Sequence, residues 1–390
     1  MSATASDSVE LTILMPCLDE ALTLPGCLQE AQEVIEKLGV TGEILIADNG
    51  STDGSQAIAA AAGARVVAVE QRGYGHALNT GINAAKGRFV IMADADGSYD
   101  FRESGPMLDA LREGADIVMG NRFAGGIQPG AMPWKNRYIG NPALSFLGRL
   151  FFKIPTRDFH CGLRGGSKQA LTGLDLRTGG MEFASEMVIK ACLSGLKMVE
   201  TPVSLRPDGR DRAPHLRPWR DGWRHLRFML LFSPRWLFML PGLGLLLSGL
   251  IGFAMLLKGP LTVGPVTLDV HTLLYAAAAI LCGFQAVAFA VISKVFVHEA
   301  GLSPQPKGGP YSPYAGFTLE RGIVGAVALA ALGMGLSIES VLIWQDNAFE
   351  DLSPTRILRW VIPAVTCLIL SLQLMLAGFF VDMIRLRLRR

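Results

Sequence analysis

The sequence predicts an α/β domain built on a mostly parallel sheet, followed by four transmembrane α-helices. Three observations carry that expectation. Short apolar strands alternate with helix-patterned segments through the first part of the chain, which implies a sheet covered on both faces. One of those strands, 89–93, ends abruptly in Asp94, Ala95 and Asp96, at the end where open α/β sheets bind ligands. Beyond Arg235 come four apolar runs, 236–257, 273–297, 323–344 and 360–381, each close to the roughly 20 residues that span a bilayer.

Taken in order, residues 11–15 form a short apolar strand closed by Pro16. From Thr23 onward, Cys27, Leu28, Ala31, Ile35 and Leu38 fall near one helical face. Residues 43–47 repeat the strand pattern and run into a polar turn from Asp48 through Gly50 to Asp53, after which the alanines of 57–62 favour helix. Residues 64–69 read as a third strand, 74–85 as a helix, 89–93 as the strand bearing the paired carboxylates, and 117–119 as another strand. The polar clusters 16–20, 48–53 and 94–98 all follow strands and would line one crevice.

Asp94 and Asp96 stand at i and i+2 on an extended chain and project to the same side. They can converge on one hard cation, Mg²⁺ or Mn²⁺, of the kind held by one or two carboxylates plus substrate phosphates. An Asp-x-Asp pair without context is more often a solvated turn or a helix cap; the buried strand before this one reverses those odds.

Before Arg235 no apolar run reaches spanning length, and residues 1–10 lack a basic region followed by an apolar one, so the first domain is expected to stay cytoplasmic. Eight arginines lie from Arg206 to Arg235, and Arg385, Arg387, Arg389 and Arg390 follow the last run, which places both termini on the cytoplasmic side of an inner or plasma membrane. The loop between the second and third runs carries Lys307, with Lys294 and Arg321 at its margins, and supports that topology weakly. The loop with Asp346, Glu350 and Asp351 is acidic and reads as outside. Trp219, Trp223, Leu226 and Leu230 form a helical stripe beside Arg220, Arg224 and Arg227, the pattern of an interfacial helix. The expected domains are therefore 1–214, an amphipathic linker at 215–234, and a membrane domain at 235–390. A net charge of +2 argues against nucleic acid as a partner; the basic residues are local and face lipid headgroups. The six cysteines have neither zinc nor dithiol spacing and read as reduced; 301–313, rich in Pro and Gly, reads as a loop.

The ordered set made by Pro16 to Glu20, Asp48 to Ser55, Gly73-Tyr74-Gly75-His76, Asp94-Ala95-Asp96 and Asn121-Arg122-Phe123 resembles the inverting glycosyltransferases of the GT-A fold, glycosyltransferase family two. More narrowly it resembles the polyprenyl-phosphate hexosyltransferases, the group containing dolichol-phosphate mannose synthase and the bacterial undecaprenyl-phosphate glucosyltransferases. The likeness runs over about residues 9–230, and members of that group often carry C-terminal membrane helices. The resemblance implies transfer of a hexose, glucose or mannose, from a nucleotide diphosphate sugar to a polyprenyl phosphate, with inversion.

It also implies roles. Pro16, Leu18, Glu20, Asp48, Asp94 and Ala95 would hold the nucleotide sugar; the blander reading is that Glu20 caps the next helix and Asp48 makes a turn with Gly50. Asn49 stands where many relatives have a second aspartate, which leaves guanine or uracil open. Asp94 and Asp96 would carry the metal that neutralises the departing diphosphate, and Ser98 occupies the place of a third ligand, where the mannose synthases commonly have glutamine. Arg122, Arg137 and Asn141 match positions that face the lipid phosphate, for which arginine offers a bidentate partner; Arg137 read alone suits a snorkelling surface arginine equally well. Asp158 falls where some relatives place a proposed base. A phosphate oxygen is already ionised near neutral pH, so Asp158 is assigned, beside Asp96 and Arg122 in the catalytic set, to orienting the acceptor or its arginines. Glu182 and Glu186 suit the sugar or a structural cap equally. Arg206 and Arg212 match the Arg and Lys that close over the donor diphosphate, with 207–215 as a lid; a basic juxtamembrane linker is the equal alternative. Homo-oligomerisation is left open.

Two rival functions fit less well. A processive polysaccharide synthase would carry Gln-x-x-Arg-Trp, and the arginines before Trp219 and Trp236 lack that glutamine. A non-catalytic lipid-glycan carrier or scaffold draws support from Glu339 and Lys294 within spans, but intact Asp94, Asp96 and Arg122 speak against it.

Overall fold

The computed structural model describes residues 9–210, 218–299, 318–350 and 353–388. Arg212, Arg217, Lys307, Asp351, Arg389, Arg390 and the 301–313 stretch lie outside the described residues. The chain divides into two compact units, Met1–Met229 and Leu230–Arg390.

In the first unit the order is β1 (Leu11–Cys17), α1 (Leu24–Leu38), β2 (Gly42–Asp48), α2 (Ser55–Ala61), β3 (Arg65–Ala68), α3 (Tyr74–Ala84), β4 (Phe89–Met92), α4 (Gly105–Arg112), β5 (Ile117–Asn121), α5 (Arg122–Gly125), α6 (Asn141–Phe152), β6 (Arg164–Ser167), α7 (Lys168–Gly173), α8 (Phe183–Leu193), β7 (Met198–Pro202) and α9 (Pro218–Phe232). The strands make one seven-stranded sheet in the order β3-β2-β1-β4-β6-β5-β7, parallel except where β6 runs antiparallel between β4 and β5. Leu11, Ile13 and Met15 of β1 and Ile91 of β4 pack with Leu24, Leu28, Ala31 and Val34 of α1 and Met107, Leu108 and Leu111 of α4 into one core. Each of the larger of these side chains contributes about 1.5–3 kcal/mol when fully buried.

Two elements depart from the sequence pattern. β1 continues through Pro16 to Cys17. Its pairing with β4 stops at Leu14, whose carbonyl accepts from Ala93 N. By alternation Pro16 faces that same side, past the last ladder bond, so its missing N–H costs nothing. β6, with Gly165 and Gly166 at its centre, carries no apolar alternation. It is a strand because it pairs with β4 on one side and β5 on the other, and the two positions are glycine because a Cβ on Gly165 would lie 2.5 Å from Val90 O, and one on Gly166 2.8 Å from Asp116 O.

In the second unit a π-helical turn (Arg235–Met239) leads into α10 (Leu240–Leu256), a small hairpin of β8 (Leu261–Val263) and β9 (Val266–Leu268), α11 (Val270–Glu299), α12 (Leu319–Asp346) and α13 (Pro354–Leu388). Four segments, Arg235–Leu256, Val270–Val297, Leu319–Asp346 and Pro354–Leu386, are long and apolar enough to cross a membrane. α10 and α11 meet through small residues: a Cβ on Gly283 would lie 2.5 Å from Leu246 N, the close approach typical of membrane helix pairs.

Candidate active site

The carboxyl ends of β1, β2, β4 and β5 share one edge of the sheet, and the antiparallel course of β6 brings its first residue, Arg164, to that edge between Met92 and Met119. Three loops are stitched together there. Asn49 N donates to Cys17 O at 2.9 Å, Glu20 N to Ser55 Oγ at 3.0 Å, and Thr23 Oγ1 to Ala95 O at 2.7 Å.

Each carboxylate in these loops has a different environment. Asp48 is buried and accepts from Gly50 N, Ser51 N and Gln56 Nε2, the last at 2.6 Å. It thus makes the turn with Gly50 that short polar side chains favour. Asn49 is equally committed: Oδ1 accepts from Gly73 N at 2.7 Å and Nδ2 donates to Gln71 O at 3.1 Å. Glu20 is buried, and its carbonyl accepts from Thr23 N and Leu24 N at the start of α1. Leu18 is half-buried in the same loop.

Asp96 Oδ1 accepts from Ser98 N at 3.0 Å and Ser98 Oγ at 2.6 Å, while Oδ2 faces Arg210 at 2.8 Å. Asp94 is half-buried, with the Tyr74 hydroxyl beside it. Burial, then the charge of Asp96, pushes its carboxyl up to about 7, against the pull of Tyr74, Arg210 and Arg164. Gly162 is needed beside it, since a Cβ there would lie 3.0 Å from Asp94 Oδ2 and 2.8 Å from the Tyr99 ring. The donor set is two hard carboxylates whose mutual repulsion a cation would relieve, which fits Mg²⁺ or Mn²⁺. Among the described residues no group of three His, Cys, Asp or Glu could hold a metal, so further ligands would come from hydroxyl, water or phosphate oxygens.

Arg122 and Asp158 form a buried fork. Arg122 Nε donates to Asp158 Oδ2 and Nη2 to Oδ1, both at 2.7 Å, and the Arg122 backbone N–H adds a third bond at 3.0 Å. Glu200 on β7 fixes the far side, accepting from Asp158 N at 2.9 Å and from Asn121 Nδ2 at 3.2 Å. Asn121 in turn caps α5 through Ala124 N. Asp158 is fully buried and its oxygens are taken by Arg122, an arrangement that orients a guanidinium.

The remaining expected residues scatter. Arg206 pairs with Glu30 and Asp100, while its backbone N–H reaches Ser98 O. Arg137, in the π-helical turn Asn136–Gly140, lies over the Tyr138 ring at 5.5 Å, and Asn141 Nδ2 donates to Met132 Sδ at 3.3 Å. Their helix α6 packs on the segment after Asp158: Phe159 N donates to Ser145 Oγ, and a Cβ on Gly148 would strike the Phe159 ring. Glu186 is spent on Arg177 N, Thr178 and Lys190, a structural tie; Glu182 is half-buried and 3.7 Å from Arg224. Residues that sequence patterning did not single out are Arg210, Tyr99 and Glu200, which nothing local distinguishes from surface residues, and Tyr74, visible only as part of its glycine motif.

The model described as Glycosyl transferase family 2 matches residues 12–174, and Glycosyltransferase family 2 C-terminal transmembrane region matches 291–385. A low-salt glycan biosynthesis hexosyltransferase of Haloferax volcanii is 33% identical over 97% of this chain and 90% of its own length. A dolichyl-phosphate hexose transferase of the same organism is 26% identical over 50% of this chain and 83% of its own. Among solved structures, glucosyl-3-phosphoglycerate synthase of Mycobacterium tuberculosis, in complex with Mn²⁺, UDP and glucosyl-3-phosphoglycerate, aligns with a TM-score of 0.45 at 21% identity, covering 58% of this chain and 80% of that one. The chain belongs to glycosyltransferase family 2 and carries that family's C-terminal transmembrane region. It is an integral membrane glycosyltransferase with hexosyltransferase relatives.

Proposed function

We propose that the protein moves a hexose, glucose or mannose, from a nucleotide diphosphate sugar to a polyprenyl phosphate with inversion at the anomeric carbon. The observation that carries this reading is the pairing, on one sheet edge, of two carboxylates suited to a divalent cation with an arginine that Asp158 holds in a fixed orientation. A bound Mg²⁺ or Mn²⁺ would supply electrostatic stabilisation of the leaving diphosphate. Asp94 and Asp96, with Ser98 behind Asp96, would hold that ion; Pro16, Leu18, Glu20, Asp48 and Ala95 would frame the nucleotide, and Arg206 and Arg212 its diphosphate.

Arg122, set by Asp158, would orient the acceptor phosphate together with Arg137 and Asn141, so that one phosphate oxygen attacks the anomeric carbon opposite the departing nucleoside diphosphate. One carbon–oxygen bond forms as the other breaks, and the nucleotide leaves as its diphosphate. The acceptor oxygen is already ionised, so no side chain need take a proton. The arginine-rich flanks of the spans favour a cytoplasmic transferase domain and cytoplasmic termini. The test is transfer of labelled sugar from a panel of nucleotide sugars to a polyprenyl phosphate, with Asp96→Ala as control. One lipid-linked sugar per acceptor supports the reading. A polymeric product, or transfer undiminished in the variant, refutes it.

A further inference from the structure

Arg210 occupies the ground that a donor and its cation would need. Its guanidinium lies 2.8 Å from Asp96 Oδ2, 2.9 Å from Asp208 Oδ2 and 3.5 Å from Glu20 Oε1. Its Nε is buried with no partner among the described residues, so the side chain is held by charge rather than by a completed hydrogen-bond set.

The backbone delivers it there. Arg206 N donates to Ser98 O and Gly209 N to Asp96 O, both at 2.9 Å, laying the 206–210 segment across the carboxylate loop. Gly209 is required by that course, since a Cβ there would lie 2.9 Å from Thr23 Cγ2.

We propose that Arg210 is an internal counter-ion, which holds Asp96 and Glu20 in the donor-free protein and passes its guanidinium to the donor diphosphate when a divalent cation takes Asp96. This rests on the functional reading above. The physical basis is charge balance in a partly desolvated site. Arg210 and a divalent cation compete for the same oxygen and repel one another, so the cation binds poorly alone. A nucleoside diphosphate supplies enough negative charge to bind both, with arginine suited to phosphate oxygens by its planar fork. Cation and nucleotide therefore help each other, and the coupling resides in Arg210.

The experiment is Mn²⁺ binding to the full chain in detergent micelles, with and without UDP or GDP, for the parent, Arg210→Gln, Arg210→Lys and Asp96→Asn. The parent should bind Mn²⁺ at least about tenfold more tightly when the matching nucleotide is present, within the usual range of coupling between sites. Arg210→Gln should bind Mn²⁺ alone about tenfold more tightly than the parent and lose most of the nucleotide's effect. Arg210→Lys, which keeps the charge, should stay near the parent, and unchanged thermal unfolding would show that the fold survives. Equal Mn²⁺ affinity of the parent and Arg210→Gln without nucleotide, alongside parental binding abolished by Asp96→Asn, overturns the counter-ion role alone. Mn²⁺ binding by none of the proteins, or binding that Asp96→Asn leaves intact, overturns the cation site and the counter-ion together.

Discussion

Replacing Asp94 by Asn removes a charge that the fold holds at a cost. Its carboxyl is raised from 3.8 to about 7 by burial and by Asp96. Between those values the folded protein keeps a proton that the unfolded chain has released, so stability falls as pH rises through the window and the full penalty stands above about pH 7. The resulting penalty has an upper limit of about 4 kcal/mol. Because part of it is already present at about pH 5, the stability gap between Asp94→Asn and the parent should widen by about 2–3 kcal/mol from there to about pH 8. Hydrogen exchange of peptides covering β1 and β4 reads the opening free energy in the intact protein. In chelator the variant should be the more protected at high pH, and saturating Mn²⁺ with nucleotide should close the gap by stabilising only the parent. A gap that does not change with pH would refute the reasoning.

Four further outcomes follow from the same geometry. Asp158→Ala leaves Arg122 buried without its carboxylate, and should cost about 3–5 kcal/mol, read as lost exchange protection in β5; Arg122→Lys, which keeps a cation beside Asp158 but loses the planar fork, should mainly raise KM for polyprenyl phosphate, and an unchanged KM would remove it from the acceptor site. Gly75→Ala would place a Cβ 2.1 Å from Thr178 O, so unfolding should shift by about 1–3 kcal/mol; a neutral result would mean that this loop contact is loose. His160 meets His225 edge to face with ring centroids 4.4 Å apart and shares Ser185 Oγ with it, and burial first, then His225, Arg164 and Arg122, holds its pKa well below 6.5. Its neutral form is what the fold accepts, so stability should fall as pH drops below about 6.5, and His160→Gln should flatten that acid limb in thermal unfolding.

Most strands of the sheet, the paired carboxylates at its edge and the four spans were legible in the chain because each is written in local periodicity. Leu11 to Met15 and Phe89 to Met92 are apolar wherever they are placed, and a run long enough to span a bilayer needs no partner to be recognised. Tertiary structure decided what depends on neighbours distant in sequence. Arg164 to Ser167 becomes a strand because β4 and β5 pair with it from either side, at a spacing that Gly165 and Gly166 fit. Asp158 meets Arg122 across 36 residues, and Arg206 and Arg210, close in sequence, go to different carboxylates. Which charge answers which is set by the folded path of the backbone, and no pattern of residue types along the chain encodes it.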